Sequence, residues 1–316
     1  MQYSFLTISK KVLLYPYYFG FVFFVIACID LFFTHGAIKA LLPKSLSGVF
    51  LLVTIFELPH ILASFFMLGD SEYQQVYKKN ITKNLLLFVA VAFAIIFLNK
   101  QIFYLIFLAY TFYHVVQQQF GIAKFYGYEK SSYLELIKIC FVVIGAMSLL
   151  SFRIDIPHIF FSLATLVSFF LVCIFFVYEK TNRKNPYLAL YVVGFFVASI
   201  LFGSGYTLFG YLSMRIVHDV TAFIFYSVHN YNRKPYSDNP IFTSFFTKSI
   251  SPLVLTPVLA ICLNIFYIYT IKIFLSIDFL QTMLLTMYFG LSLAHYNLEG
   301  SIWKKGSLAR NYIRLN

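Results

Sequence analysis

Residues 158–178 read HIFFSLATLVSFFLVCIFFVY, 21 positions without one Lys, Arg, Asp or Glu. A helix of this length is about 31 Å long at 1.5 Å per residue, which matches a hydrocarbon core of about 30 Å. A surface helix of a soluble protein keeps a polar face for water. This one has none, so it reads as a membrane span. Working outward, nine more apolar runs follow the same pattern, near 12–33, 47–68, 84–99, 101–122, 133–151, 187–203, 207–230, 252–275 and 280–300. Together they predict an all-α fold: a polytopic membrane helix bundle of about ten transmembrane helices, with residues 1–316 forming a single integral membrane domain. The first run follows Lys10 and Lys11 but has no small-residue cleavage site, so it is read as a retained span and not a signal peptide. Pro59 and Pro257 fall inside runs and are expected to kink their helices.

Composition agrees. The chain is 60% apolar and 21% aromatic but only 11% charged, against about 25% charged in soluble domains. A chain this apolar cannot cover a surface facing water. The net charge of +12 does not point to nucleic acid, because the cations are scattered among short loops and form no continuous basic face. Cys28, Cys140, Cys173 and Cys262 stand alone inside apolar runs with no CxxC pair. They offer neither a zinc knuckle nor a disulfide framework and are expected to be small buried thiols.

Loop charge sets the orientation. With the N-terminus in the cytoplasm, Lys10, Lys11, Lys78, Lys79, Lys83, Lys124, Lys130, Lys180, Arg183, Lys184, Arg233, Lys234, Lys248, Lys304, Lys305, Arg310 and Arg314 fall on the cytoplasmic side. Lys39, Lys44, Lys100 and Arg153 fall opposite, with Lys272 near that edge. The expectation is an integral protein of a bacterial inner membrane with both termini cytoplasmic.

Ionisable groups inside a bilayer cost several kcal/mol unless paired or bound, so their positions carry most of the functional information. The second run contains FELPHILAS (56–64), with Glu57 and His60 three apart on one helix face. The fourth contains YTFYHVVQQQFG (110–121), with His114, Gln117 and Gln118. The eighth contains RIVHDVTAFIFYSVHNYNR (215–233), with His218, Asp219 and His229. The tenth contains AHYNLEGSIW (294–303), with His295 and Glu299 four apart and Asn297 between them. All four are even-numbered runs, and their polar residues lie in the later half of each. Five of the seven histidines are therefore expected in the cytoplasmic half of the membrane or at its edge, while His35 and His158 read as ordinary surface residues.

Imidazoles and carboxylates from several helices at similar depth can converge on a metal, as in di-metal carboxylate bundles. The ligands expected from the residues are His60, His114, His218, His229 and His295. Glu57 and Glu299 would be anionic ligands or proton acceptors, and Gln117, Gln118, Asp219 and Asn297 supporting groups. One difficulty is internal to this set. His218 and His229 are eleven residues apart, about 16 Å along a continuous helix. Two sites, one site with an outer shell, or a helix that unwinds before His229 would each answer it. Asp219 is offset by about 100° from His218 and could face Arg215 one turn earlier.

The segment FIFYSVHNYNR (223–233) resembles the region of the bacterial Brp/Blh-type β-carotene dioxygenases in which an aromatic-rich helix ends in a His followed shortly by Arg. That resemblance implies a polytopic, histidine-liganded, iron-dependent enzyme that cleaves a carotenoid to retinal. It carries over His229 as a ligand, followed by His60, His114 and His218. It covers about one span; ELPH (57–60) and FTHG (33–36) only faintly echo that family's PHG element, and its Asp-containing pattern is missing here. The chain is also similar to membrane fatty-acid desaturases in its many cytoplasm-side histidines but lacks their HxxxH and HxxHH boxes.

The function expected is a metal-dependent membrane oxidoreductase or oxygenase, with iron as cofactor and dioxygen as co-substrate. Its substrate would be a lipid-soluble small molecule such as a carotenoid, an isoprenoid or a fatty acyl chain; membrane lipid is the other partner. The alternative is an ion- or proton-coupled transporter using intramembrane His and Glu. It is disfavoured because no internal repeat is visible and the polar groups stop short of the outer half of the bilayer. A b-type cytochrome ranks last, since only the eighth run carries two histidines.

Overall fold

The computed structural model describes residues 5–43, 58–97, 100–150, 156–236, 252–274 and 278–316. In hydrocarbon every backbone N–H and C=O must be satisfied within the protein, which an α-helix does locally. The helices are α1 Pro16–Phe33, α2 Ala37–Leu41, α3 Leu58–Gly69, α4 Ser71–Val76, α5 Lys78–Phe97, α6 Lys100–Ala123, α7 Ser132–Leu150, α8 His158–Tyr178, α9 Pro186–Gly203, α10 Thr207–Arg233, α11 Pro252–Phe274 and α12 Asp278–Ile302. Each of the ten apolar runs thus carries a helix, and the described residues contain no strand, only a single bridge between Ile8 and Leu315.

Among the described residues four helical segments are long and apolar enough to cross a membrane: Val12–Phe33, Ile159–Tyr178, Pro186–Gly203 and Thr207–Tyr236. The other helices are shorter in their described part or more polar. α5 opens on Lys78, Lys79 and Lys83, α6 ends in Gln117, Gln118 and Gln119, and the apolar stretches Leu58–Gly69 and Val254–Phe266 are short. The expected burial of the thiols is not what is found. Cys262 is exposed and the other three are half-buried, because they sit on helix faces turned away from the packed interior.

The chain forms two compact units that interleave in sequence. The first comprises Met1–Ser9, Leu52–Phe103 and Ala222–Asn316; the second comprises Lys10–Leu51 and Tyr104–Thr221. In the first, α12 packs along α5 and touches α11. Small side chains allow the close approach that stabilises helices in lipid: Ala63, Ala222 and Ala260 join Tyr73, Tyr226 and Leu298 in one buried cluster. The chain ends are stitched together here. Ile8 N–H donates to the Arg314 carbonyl at 2.8 Å, and Asn316 N–H donates to the Ile8 carbonyl at 3.1 Å. The Asn232 side chain accepts from Leu6 N–H and donates to the carbonyls of Leu6 and Tyr312.

In the second unit α9 is the central helix, packed by α1, α7 and α8. The Ser168 and Ser199 hydroxyls meet across α8 and α9 at 2.9 Å, and Phe141 stacks on Phe195 at 3.8 Å between ring centroids. α1 and α8 turn large apolar residues such as Phe33, Ile159, Leu163 and Phe170 outward, as lipid-facing helices do. After α1 the chain reverses through His35 and Gly36, both at positive φ. Asp30 accepts from the N–H groups of Ile38 and Lys39 and from Tyr206 Oη, which pins that turn.

Gly145 on α7 faces Phe112 on α6 so closely that a Cβ would overlap the aromatic ring, and Phe112 is buried. Gly145→Ala is therefore expected to destabilise by about 1–3 kcal/mol, the usual cost of overpacking, despite the better helix propensity of Ala. A lowered thermal midpoint in detergent would register this. An unchanged midpoint would mean that α6 and α7 are farther apart.

Candidate functional site

In the first unit, α3 supplies His60 and Ser64 and α12 supplies His295 and Glu299. Each pair is four residues apart and so shares a helix face. All four are buried, His60, Ser64 and His295 completely. The hydrogen bonds fix the state of His295. Ser64 Oγ donates to the Ile61 carbonyl at 2.6 Å, so its oxygen accepts from His295 Nδ1–H at 2.8 Å. That tautomer leaves the lone pair on Nε2, which lies 3.8 Å from Glu299 Oε2. The other carboxylate oxygen, Oε1, accepts from Tyr226 Oη on α10. His60 stands edge-on to His295, 4.8 Å between ring centroids and 79° between planes, with ligand atoms of the two rings within 4.8 Å of one another.

An imidazole lone pair and a carboxylate oxygen repel unless a positive centre lies between them. A proton on Nε2 is one answer and a metal ion is the other. At about 2.1 Å from nitrogen and oxygen ligands, a metal separates neighbouring ligand atoms by about 3.0–3.5 Å. The observed 3.8 Å needs closing by only a few tenths of an ångström. The donors are of a kind compatible with an ion: His60 stands beside His295, Glu299 stands beside His295, and His295 is held by a second hydrogen bond in the tautomer a metal requires.

Comparison with family models, curated proteins and solved structures gives no match.

The second unit carries its own imidazole pair. His114 on α6 and His218 on α10 meet edge-on, 5.1 Å between centroids and 83° between planes. Asp219 turns to Arg215, whose guanidinium donates to Oδ1 at 2.9 Å; His218 Nε2 lies 3.9 Å from the same oxygen. Among the neighbouring glutamines, Gln117 is exposed and Gln118 half-buried, accepting from Gln119 Nε2 at 3.1 Å. The fully buried one is Gln119, whose Oε1 accepts from Tyr17 and Tyr187.

His229 belongs to neither pair. Tyr73 Oη donates to its Nε2 at 2.7 Å, and its Nδ1–H then donates to Asn230 Oδ1 at 3.1 Å. Burial pushes the Tyr73 phenol well above its ordinary pKa, so it keeps its proton. With both nitrogens engaged, His229 serves as a packing and hydrogen-bonding residue against Trp303 and Tyr312. α10 is unbroken from Thr207 to Arg233, which rules out the unwound helix entertained for bringing His229 to His218. Asn297 also lies elsewhere than expected: its amide bonds Asn84 on α5, not an imidazole. Glu57 lies outside the described residues.

Several key residues carry no distinctive sequence signal. Ser64 had the best one, since it is one turn after His60 on the same face. Tyr226 is one of 25 tyrosines. Arg233 closes α10 as a hub, donating from Nε to Asp70 Oδ2 at 2.8 Å, from a terminal nitrogen to Glu72, and from the other to Tyr312 Oη at 2.6 Å.

Proposed function

We propose that the protein is a metal-dependent integral membrane oxidoreductase in which His60, His295 and Glu299 hold iron. Two imidazoles and one carboxylate are the donor set of non-haem ferrous oxygenases. The observation that carries this reading is the Nδ1–H tautomer that Ser64 imposes on His295, which aims Nε2 at Glu299 in a fully buried setting. Iron so held would supply dioxygen activation. Ser64 orients the His295 ring, and Tyr226 holds one oxygen of Glu299 and offers a phenolic proton beside it. The lipid-exposed aliphatic and aromatic faces favour a substrate that arrives through the bilayer, such as a carotenoid, an isoprenoid or a fatty acyl chain. The His114–His218 pair is a further set of metal-type donors within its own unit.

The same reading takes all ten apolar runs as spans of a bacterial inner membrane with both termini cytoplasmic. It rests on the Lys and Arg bias of the loops. Reporter fusions after Lys184 and after Asn316 should both report cytoplasm; a periplasmic signal at either overturns the orientation.

Metal analysis of protein purified in a neutral detergent tests the function. About one equivalent of iron is expected from such a ligand set. Well-folded protein that takes up no transition metal overturns the reading and favours the ion- or proton-coupled transporter. Ser64→Ala should weaken metal affinity by about 10–100-fold, the usual cost of losing the hydrogen bond behind a ligating imidazole, as read by chelator competition. Unchanged affinity would show that Ser64 does not set the tautomer.

A further inference from the structure

At one end of the second unit three basic turns are tied together. Lys10 and Lys11 precede α1, Lys124 and Lys130 follow α6, and Lys180, Arg183 and Lys184 lie between α8 and α9; all seven are exposed. Tyr126 Oη donates to the Lys10 carbonyl, and the Lys10 ammonium lies 5.9 Å over the Tyr126 ring. The Asn182 side chain accepts from Glu129 N–H and donates to the Glu129 carbonyl, and Asn185 Nδ2 donates to the Ala123 carbonyl at 3.1 Å. The seven cations outnumber the carboxylates around them, Glu129, Glu135 and Glu179. Glu179 is buried and taken by Ser131 and Asn182, and Glu135 pairs with Lys138 at 2.8 Å. Among the described residues no ion pair engages any of the seven cations, and Glu129 is the one exposed carboxylate in these turns.

Four exposed tyrosines lie on the helix side of the cations in sequence. Tyr15 and Tyr18 on the α1 side, and Tyr133 and Tyr178 of α7 and α8, are all exposed, and Tyr133 stacks on Tyr178 at 6.1 Å. Exposed tyrosines at helix ends mark the level where acyl chains give way to headgroups. The cations beyond them are therefore at the depth of lipid phosphates.

We propose that this end of the second unit is a binding surface for anionic phospholipid headgroups. Charge complementarity and depth both favour them over zwitterionic lipid. The surface is independent of the metal site and serves to hold the unit in a chosen lipid environment.

The test uses full-length protein in neutral detergent, titrated with phosphatidylglycerol or phosphatidylcholine, with bound lipid counted by native mass spectrometry. Wild type should retain phosphatidylglycerol preferentially, and raising the salt should weaken the preference by screening. Each Lys or Arg near an anionic surface contributes about fivefold, so K180Q/R183Q/K184Q should lose at least about tenfold in phosphatidylglycerol affinity. K124Q/K130Q, on a different turn, should lose less but in the same direction, and guards against a folding defect in the triple variant. K304Q/K305Q, exposed in the first unit, should leave the effect intact. Equal retention of the two lipids by wild type, or wild-type preference in both the triple and the double variant, overturns the proposal. Competition by millimolar inorganic phosphate overturns it too, since that would mark a free-anion site.

Discussion

His295→Ala is expected to purify folded but with metal affinity reduced by at least about a thousandfold, roughly 4 kcal/mol. The variant removes one of three proposed ligands and leaves Glu299 buried beside Tyr226. The imidazole that lies 3.8 Å from that carboxylate is then gone, and the site no longer has the donor count to hold a divalent ion. His229→Ala is the informative control. Its nitrogens are already engaged by Tyr73 and Asn230, so metal should remain at wild-type level while packing against Trp303 loosens. If His229→Ala strips metal as thoroughly as His295→Ala, His229 is itself a ligand and the His60, His295 and Glu299 assignment is not the whole ligand set.

The second large effect is structural. Arg233→Ala should cost about 3–5 kcal/mol, because it strands a buried Asp70 carboxylate that now accepts two guanidinium hydrogen bonds. It also frees Tyr312 and Glu72. Arg233→Lys keeps the charge but loses the fork, so it should fall between the two. The thermal midpoint in detergent reports the loss, and limited proteolysis should show the segment around Tyr312 cleaved sooner. Adding Asp70→Asn should recover part of the stability by removing the stranded charge. Absence of that recovery would mean that Arg233 acts through packing on Tyr73 and Tyr312 instead.

The helices were legible because a lipid-embedded backbone has almost one solution and apolar runs announce it. The pairing of His60 with His295, and of His114 with His218, was half legible. Cost alone says that such groups need partners, but helical periodicity places a residue on a face and does not say which helix that face meets. His229 shows where the reasoning stops. Its position at the end of an aromatic helix matched a ligand-like pattern, yet a tyrosine from α4, in a stretch too short and polar to have a recognisable periodicity, claims its Nε2. Gln119 cannot be told from Gln117 and Gln118 in the sequence for a related reason: three successive glutamines point about 100° apart, and only the packing decides which one is inside. Nor could hydropathy reveal that the segments sort into two interleaved units.

That interleaving bears on how the protein is made. Synthesis is vectorial, and the second unit has all its residues once Thr221 has emerged. The first unit is in the opposite position: its earliest pieces, Met1–Ser9 and Leu52–Phe103, must wait for Ala222–Asn316. At about 5–20 residues per second that delay is roughly 5–20 s. Over that interval His60 sits in the nascent chain before His295 exists, so the pair can form only once α12 has been made, and a ribosome stalled before α12 would leave a half-assembled protein exposed to membrane quality control.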